Sequence, residues 1–195
     1  MLKFIDGGVC AAQGFKAAGI HVGVKTHANW KKDVALIVSD VDCAASAVFT
    51  KNVVKAAPIH VDRAHLADGK ARAIIANSGN ANACAPHGEE NAEKMCAAAA
   101  KAIGCKAEDV LVSSTGVIGQ TLNVKVIEDG VPELYSALAA TPEASDAAAH
   151  AIMTTDTVKK EVAVETTVGG KTVRMGGIAK GSGMIHPTWA PCCAF

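Results

Sequence analysis

Four short polar segments carry side chains that can bind a ligand or take part in a reaction. They are NSGNANAC at 77–84, SSTG at 113–116, TTDT at 154–157 and AKGSGM at 179–184. Their hydroxyl, amide and ammonium groups offer several hydrogen-bond donors and acceptors for recognition of a polar group. Each segment is also predicted to end a strand or a helix, where Gly, Asn and Ser form ordinary turns. The residue types alone leave a turn and a functional site as alternatives at each position.

Several standard catalytic and metal-binding motifs are absent from the sequence. Lys180-Gly181-Ser182 lacks the glycine spacing of a phosphate-binding loop, and there is no G-x-S-x-G or H-E-x-x-H segment. The seven histidines are scattered without the helical spacing of metal ligands, and the seven cysteines form no C-x-x-C pair. We therefore predict no metal site and no redox motif, and we expect most cysteines to be small buried hydrophobic residues.

The composition excludes several classes of protein. Lys plus Arg and Asp plus Glu each total 19, so the formal net charge is zero and no basic face for nucleic acid is expected. Hydrophobic residues make up 50% and charged residues 19%, which is typical of a folded chain and not of a disordered one. No apolar run approaches the roughly 18 residues of a membrane span, and Asp6, Gly7 and Gly8 interrupt the N-terminal patch where a signal peptide needs an apolar core. We therefore expect a cytoplasmic protein that binds neither nucleic acid nor membrane.

Apolar patterning indicates the elements that must position the four polar segments. Short apolar runs predict strands over 34–38, 45–50, 57–61, 71–76 and 110–113. Apolar residues at spacings of three and four predict a helix over 89–103, with Gly104 just past its end. Two more helices are predicted over 131–140 and over 142–153, the second with Thr141 as its N-cap.

The last third of the chain changes to the two-residue period of a β-hairpin. Apolar residues alternate over 161–168 and over 171–178, and Gly169-Gly170 forms the turn between them. Strands that alternate with helices and are followed by a hairpin predict an α/β or α+β layered domain. The chain length and the absence of repeats and linkers predict a single domain.

Five segments, in order and at matching spacing, resemble the ornithine acetyltransferase family, the bifunctional glutamate N-acetyltransferases/amino-acid acetyltransferases. They are GGVCAAQGFKAAGIHVGVK at 7–25, NSGNANAC at 77–84, SSTGVIG at 113–119, TTDT at 154–157 and GGIAKGSGMIHP at 176–187. The resemblance implies the α+β layered sandwich of self-processing N-terminal-nucleophile acyltransferases. It also implies that residues 1–187 are the α-chain part, a single domain, of a precursor about twice this length.

The resemblance further implies a mechanism in arginine biosynthesis. A family precursor cuts itself before a threonine, whose hydroxyl then carries acetyl from N-acetylornithine, or from acetyl-CoA, to glutamate. At the matching positions, the Thr115 hydroxyl and the Gly116 backbone N–H would form the oxyanion hole. Thr157 and Lys180 would bind the substrate, with Lys180 holding its α-carboxylate. The resemblance implies no bound cofactor or metal.

The implied partner is the β chain of the same precursor, in a heterotetramer of two α and two β chains. We expect the hairpin to pair with this β chain.

The last eight residues depart from the family pattern. The family reads roughly P-N-M-(A/G)-T-M-L across the cleavage point, whereas this chain reads PTWAPCCAF at 187–195, with Pro191 at the position of the nucleophilic threonine. Proline has no hydroxyl, so we expect this chain alone to be inactive. Deleting one A from AAC ATG GGC ACC ATG CTG TGC GTT C, which encodes NMGTMLCV, yields TWAPCCAF. We therefore predict a frameshifted tail over 188–195; the alternatives are a diverged natural C-terminus and a cloning scar.

Two other functions remain open at this level. A related self-processing N-terminal-nucleophile aminopeptidase or hydrolase would cleave peptides, although the segments with Thr157 and Lys180 favour the transferase. A non-catalytic partner subunit would instead co-purify with a separately encoded β chain and transfer no acetyl group.

Overall fold

Two β-sheets and four α-helices make up residues 2–26 and 31–181, the part of the chain that the computed structural model describes. The larger sheet has the strand order β2-β3-β4-β5, formed by Phe15–Ile20, Val34–Ala44, Lys70–Asn80 and Val110–Val117. The smaller sheet has the order β1-β6-β7, formed by Lys3–Ile5, Lys160–Val168 and Lys171–Ala179. The helices are α1 (Ala57–His65), α2 (Gly88–Ile103), α3 (Val124–Ser136) and α4 (Pro142–Ala151).

Alternating residues of the larger sheet divide the hydrophobic core between its two faces. Leu36 and Ile75 are buried on one face, against the apolar sides of α1, α2 and α3. Ala35 and Ile37 are buried on the other face, together with residues of α4 and Ile178 of β7. Because both faces are covered, the central strands are apolar on both sides. The layers confirm the predicted α/β layered fold.

The hairpin and two helix ends follow the sequence prediction. Strands β6 and β7 pair antiparallel on either side of Gly169 and Gly170, both of which have positive φ. The hydroxyl of Thr141 accepts the N–H of Ala144, and α4 begins at the next residue, as the N-cap prediction requires. Gly104 ends α2 in the left-handed conformation with φ 84°.

Two of the predicted strands are wrong. Residues 57–65 form helix α1, and Pro58 lies in its first turn, where the missing N–H has no helical partner to lose. Residues 45–50 have no regular structure, because the β3–β4 ladder ends at the pair Ala44–Lys70 and no other strand of the described residues lies beside them. Val48 is accordingly 84% exposed.

One predicted helix is displaced, and two strands, β1 over Lys3–Ile5 and β2, were missed. Helix α3 begins at Val124 and ends at Ser136 instead of covering 131–140, because Ile127, Val131 and Leu134 form its buried stripe. Pro132 lies inside this helix on its exposed side. Strand β2 over Phe15–Ile20 was not predicted, since its small central residues hide the two-residue period.

Cysteine burial also differs from the prediction. Of the five cysteines at described positions, Cys96 is buried, Cys84 is exposed, and Cys10, Cys43 and Cys105 are half-buried. Burial raises the pKa of the Cys10 and Cys105 thiols, which favours their protonated form. A raised pKa disfavours the thiolate, which is the reactive form of a cysteine.

Several sequence predictions lie outside the described residues. The tail over 188–195 and Pro191 within it belong to this group, as does the boundary between 187 and 188. Within 2–26 and 31–181, no helix is both long enough and apolar enough to cross a bilayer. Over the same ranges, no three His, Cys, Asp or Glu side chains are grouped in a way that suits a metal ion.

Candidate functional site

The parallel pairing of β4 with β5 brings the first two polar segments side by side. Ser78 lies opposite Thr115, and Gly79 lies opposite Gly116. The carboxyl ends of both strands meet at one edge of the larger sheet, which is where open α/β sheets place their ligands. The structure therefore places Thr115 and Gly116, the two predicted oxyanion-hole residues, at a strand end that suits a site.

Close backbone packing fixes the position of Gly116. A Cβ atom at this residue would collide with the carbonyl of Gly79 and would lie 2.6 Å from the backbone nitrogen of Asn80. Gly116 and Gly79 have φ of 136° and 112°, a region that side chains other than glycine rarely adopt. The peptide that follows Thr115 is thus held in one conformation by its neighbours.

Buried amide side chains hold the segment 77–82 against β5. The amide oxygen of Asn77 accepts the Ser114 hydroxyl at 2.6 Å, and its nitrogen donates to the Asn80 carbonyl at 3.0 Å. The amide oxygen of Asn80 in turn accepts the backbone N–H of Asn82 at 2.7 Å. All three asparagines are buried, where polar groups need partners. Sequence reasoning singled out this segment but gave no role to Asn77, which orients the residue before Thr115.

The Thr115 side chain is half-buried and keeps its hydroxyl available. This hydroxyl makes no hydrogen bond within residues 2–26 and 31–181. The Thr115 hydroxyl and the neighbouring Gly116 N–H, which close packing holds in place, are together a suitable pair of donors for a developing oxyanion.

Asp156 joins the third and fourth polar segments. Its carboxylate accepts the N–H groups of Gly181 at 2.7 Å and Thr154 at 3.2 Å and the ammonium of Lys160 at 2.9 Å. The Lys180 ammonium lies 3.7 Å from its second oxygen. Burial raises the pKa of Asp156, but the hydrogen bonds and the Lys180 charge outweigh burial and lower this pKa to about 2. Sequence reasoning did not assign Asp156 a role, although it lies inside the TTDT segment.

Lys180 and Thr157 both adjoin this carboxylate. The Lys180 side chain is 15% exposed, and its ammonium donates one hydrogen bond, to the Gly181 carbonyl at 2.9 Å. Two of its three N–H donors therefore have no hydrogen bond to the described residues. Thr157 follows Asp156 in the chain, is exposed, and makes no side-chain hydrogen bond within the same ranges. Both predicted substrate residues thus present unused donors.

Lys25 and Ser78 connect the strand ends to the loop that contains Asp156. The Lys25 ammonium donates to the carbonyl of Met153 at 2.8 Å, and its stem packs on Gly79, where a Cβ would lie 2.9 Å from the Lys25 Cγ. The Ser78 hydroxyl donates to the carbonyl of Ala151. Burial lowers the pKa of Lys25, and the charge of Asp33 opposes this effect. These contacts therefore join the end of β4, beside Thr115, to the chain just before Asp156, and sequence reasoning missed the role of Lys25.

Two surface cavities are bordered by none of the predicted site residues Thr115, Gly116, Thr157 and Lys180. One, of about 450 Å³, is bordered by Cys10 and Arg174, and the other, of about 370 Å³, by His60 and Asn82. Neither is bordered by Thr115. The candidate site is thus defined by the chemistry of its converging segments and not by either cavity.

Comparison with known proteins gives matches along most of the chain. The model of the ArgJ family matches residues 16–195. The arginine biosynthesis bifunctional protein ArgJ of Gloeobacter violaceus is 51% identical over 195 residues, which cover 99% of this chain and 47% of that relative. The chain therefore spans about half the length of the curated relatives it matches.

Two solved structures resemble the whole described fold. The crystal structure of the arginine biosynthesis bifunctional protein argJ from Bacillus halodurans has a TM-score of 0.89 and 44% identity, and the match covers 96% of this chain and 98% of that one. The ornithine acetyltransferase from Mycobacterium tuberculosis, solved in complex with ornithine, has a TM-score of 0.88 and 37% identity, covering 96% and 99% respectively. At these identities the likeness extends beyond the fold to the sequence.

Proposed function

The chain belongs to the ArgJ family, and from that premise we propose that it is the α-chain part of an arginine-biosynthesis acetyltransferase. The reaction would move acetyl from N-acetylornithine to glutamate. The observation that carries the proposal is the family match over residues 16–195, and the unused donors on Thr115, Thr157 and Lys180 in the matching segments support it. The two solved chains are about as long as this one, which supports a division of the complete protein near its middle.

The chemistry we propose is a two-step acyl transfer through a threonine. The hydroxyl oxygen of an N-terminal threonine attacks the acetyl carbonyl of N-acetylornithine, its proton passes to the terminal amine, and ornithine leaves with that proton on its nitrogen. Glutamate then attacks the acetyl ester through its own amine, and the threonine hydroxyl is restored. The threonine would come from the β chain, since position 191 of this chain holds proline.

Thr115 and Gly116 would stabilise the tetrahedral oxyanion of both steps. The rigid backbone at Gly79 and Gly116 would keep the donors aligned without reorganisation during the reaction. Each such donor contributes about 2.7–4 kcal/mol to catalysis in comparable sites.

Lys180 and Thr157 would hold the amino-acid substrate. Two unused ammonium donors on Lys180 suit a carboxylate, and the Thr157 hydroxyl would orient the substrate beside it. We also propose that acetyl-CoA can serve as an alternative acetyl donor and that the reaction needs no bound cofactor.

A cytoplasmic location is a further part of the proposal.

The exposed face of the smaller sheet is an argument for a partner chain. Phe4 pairs with Val164, and Val164 pairs with Met175, so all three share one face. Phe4 is 75% exposed and Met175 is 66% exposed. A contiguous apolar sheet face of this kind is typical of an interaction surface. We propose that the β chain of the same precursor covers it, within a heterotetramer of two α and two β chains.

The tail completes the proposal. We infer that residues 188–195 result from a one-nucleotide deletion and that residues 1–187 form the α-chain domain. Reading the genomic DNA past the Phe195 codon tests this: a continuation of the acetyltransferase in the neighbouring frame supports the deletion, and its absence contradicts it.

A joined protein tests the function itself. Residues 1–187 would be fused to the C-terminal half of the Gloeobacter violaceus relative, which restores a threonine at the cleavage point. We expect self-cleavage and transfer of acetyl from N-acetylornithine to glutamate. Peptide hydrolysis without acetyl transfer would favour the aminopeptidase, and self-cleavage with neither activity would favour a non-catalytic subunit.

A further inference from the structure

Lys160 binds the carboxylate that is also nearest to Lys180. The Lys160 ammonium donates to one oxygen of Asp156 at 2.9 Å, and the same oxygen accepts the Gly181 N–H at 2.7 Å. The Lys180 ammonium is 3.7 Å from the other oxygen, which is an ion-pair distance but too long for a hydrogen bond. Asp156 therefore attracts the Lys180 ammonium by charge but accepts no hydrogen bond from it.

Tight packing keeps this arrangement in place. The Asp156 side chain is only 3% exposed, so its charge depends on the donors around it. A Cβ at Gly181 would lie 2.8 Å from the bonded oxygen of Asp156 and 3.0 Å from the Lys160 ammonium. The backbone of Gly181 is thus packed directly against the pair formed by Asp156 and Lys160.

Lys25, another cation near Asp156, is already bonded to other groups. The Lys25 ammonium is held by the carbonyls of Met153 and Lys32, each at 2.8 Å. If Lys160 were absent, the cation best placed to approach the carboxylate would be Lys180. A direct hydrogen bond from Lys180 to Asp156 would compete with any ligand for the same ammonium protons.

We propose that Lys160 is a positioning residue: by satisfying Asp156, it leaves the ammonium of Lys180 available to bind the carboxylate of a ligand. The choice of an amino-acid carboxylate as the ligand rests on the proposed function. The availability of Lys180 rests on the geometry around Asp156 alone, so the two can be tested separately.

Chemical acylation of the complete 195-residue chain tests the proposal. Trace labelling with acetic anhydride, read by mass spectrometry at each lysine, reports how available each amine is. We expect Lys160→Met to slow labelling of Lys180 about tenfold, the effect of a charged hydrogen bond of ordinary strength. Lys160→Arg, which keeps the charged donor, should label Lys180 at the original rate.

Lys159→Met is the matched control. Lys159 precedes Lys160 in the chain but pairs with Asp146 and Glu161 instead of Asp156. We expect this substitution to leave Lys180 labelling unchanged. A similar slowing in Lys159→Met and Lys160→Met would overturn the proposal, as would an unchanged rate in a folded Lys160→Met chain.

A double substitution separates action through Asp156 from other effects. In the Asp156→Asn background, Lys160→Met should have no further influence on Lys180, because the competing charge is gone. A persisting tenfold slowing would show that Lys160 acts by another route.

Labelling in the presence of free glutamate tests the ligand. We expect glutamate to protect Lys180 in the original chain, and protection of the Lys160→Met chain to need about ten times more glutamate. If glutamate does not protect the original chain while Lys160→Met still slows labelling, the positioning role stands and the proposed substrate site does not.

Discussion

The backbone of Gly79 occupies the space that a side chain at Gly116 would need. This contact lies where β4 and β5 pair, directly after Thr115. Neither strand can shift without breaking the hydrogen bonds between them. The contact therefore fixes the peptide between Thr115 and Gly116, close to the end of β5. Main-chain packing, which needs glycine at both positions, therefore holds the Gly116 N–H, one of the two proposed oxyanion donors.

Substitution at Gly116 should measure the strength of this contact. We expect Gly116→Ala to lower the free energy of unfolding by about 2–4 kcal/mol, from strained φ together with the collision against Gly79. Gly119 is the matched control, since its φ is also positive at 82° but its Cβ would meet no atom of the described part of the chain within 4 Å. Gly119→Ala should cost only about 1–2 kcal/mol. Equal losses in urea unfolding would show that packing at Gly79 has no influence.

Asp62 should make stability depend on pH. Its carboxylate accepts the Val112 N–H at 2.8 Å, and burial raises its pKa to about 6, although this hydrogen bond and the charge of His65 oppose the shift. Since this pKa lies above the ordinary 3.8, the folded chain binds the proton more tightly than the unfolded chain. Ionisation of Asp62 therefore lowers the free energy of unfolding as pH rises from about 4 to about 6, by about 2–3 kcal/mol.

Asp62→Asn should remove this dependence, because an amide oxygen still accepts the Val112 N–H and carries no charge. We expect the variant to be more stable than the original at pH 7.5 and equal to it near pH 4, by thermal unfolding. Asp68→Asn is the control, since Asp68 also accepts a backbone N–H, from Lys70, but is exposed. A stability gain for Asp62→Asn that is the same at both pH values would rule out the titration.

Thr115→Val tests the proposed oxyanion hole in the joined protein. The substitution keeps the shape and removes the hydroxyl donor, so we expect turnover to fall about 10²–10³-fold with little change in KM. Thr115→Ser retains the hydroxyl and should keep most of the rate. An undiminished turnover in Thr115→Val would remove this residue from the site.

Lys180→Ala tests the proposed carboxylate contact. In the joined protein we expect KM for glutamate to rise by an amount equivalent to about 1.5–3 kcal/mol, the range for hydrogen bonds to charged groups. The α-amide of glutamate, which lacks that carboxylate, should lose far less. Equal losses for both compounds would contradict the assigned contact, and Lys101→Ala, at an exposed position of α2, serves as the control.

Local patterns predicted some elements well and others poorly, for physical reasons. The alternation around Gly169 and the apolar stripe of α2 are properties of neighbouring residues, and both predictions are confirmed. Residues 57–61 were predicted as a strand, because a short apolar run looks the same in a strand and in the buried side of α1.

The site shows a similar division. The segments themselves were recognisable, and the roles of Thr115 and Lys180 came from the family resemblance. The carboxylate of Asp156 and the ammonium of Lys25 were not predictable, because their partners are brought close only by the packing of β4, α4 and β7. Sequence spacing carries no information on contacts of this kind.

The most direct test of the account is to trap the acetyl group in the joined protein. After incubation with N-acetylornithine and without glutamate, mass spectrometry of the smaller peptides would locate the added acetyl. We expect the acetyl group on the threonine that self-cleavage frees, and we expect later addition of glutamate to remove it. The 195-residue chain alone, which has Pro191 at that position, should carry no acetyl group. Transfer of acetyl to glutamate by the 195-residue chain alone, or an acetyl group stably bound elsewhere, would contradict the threonine mechanism.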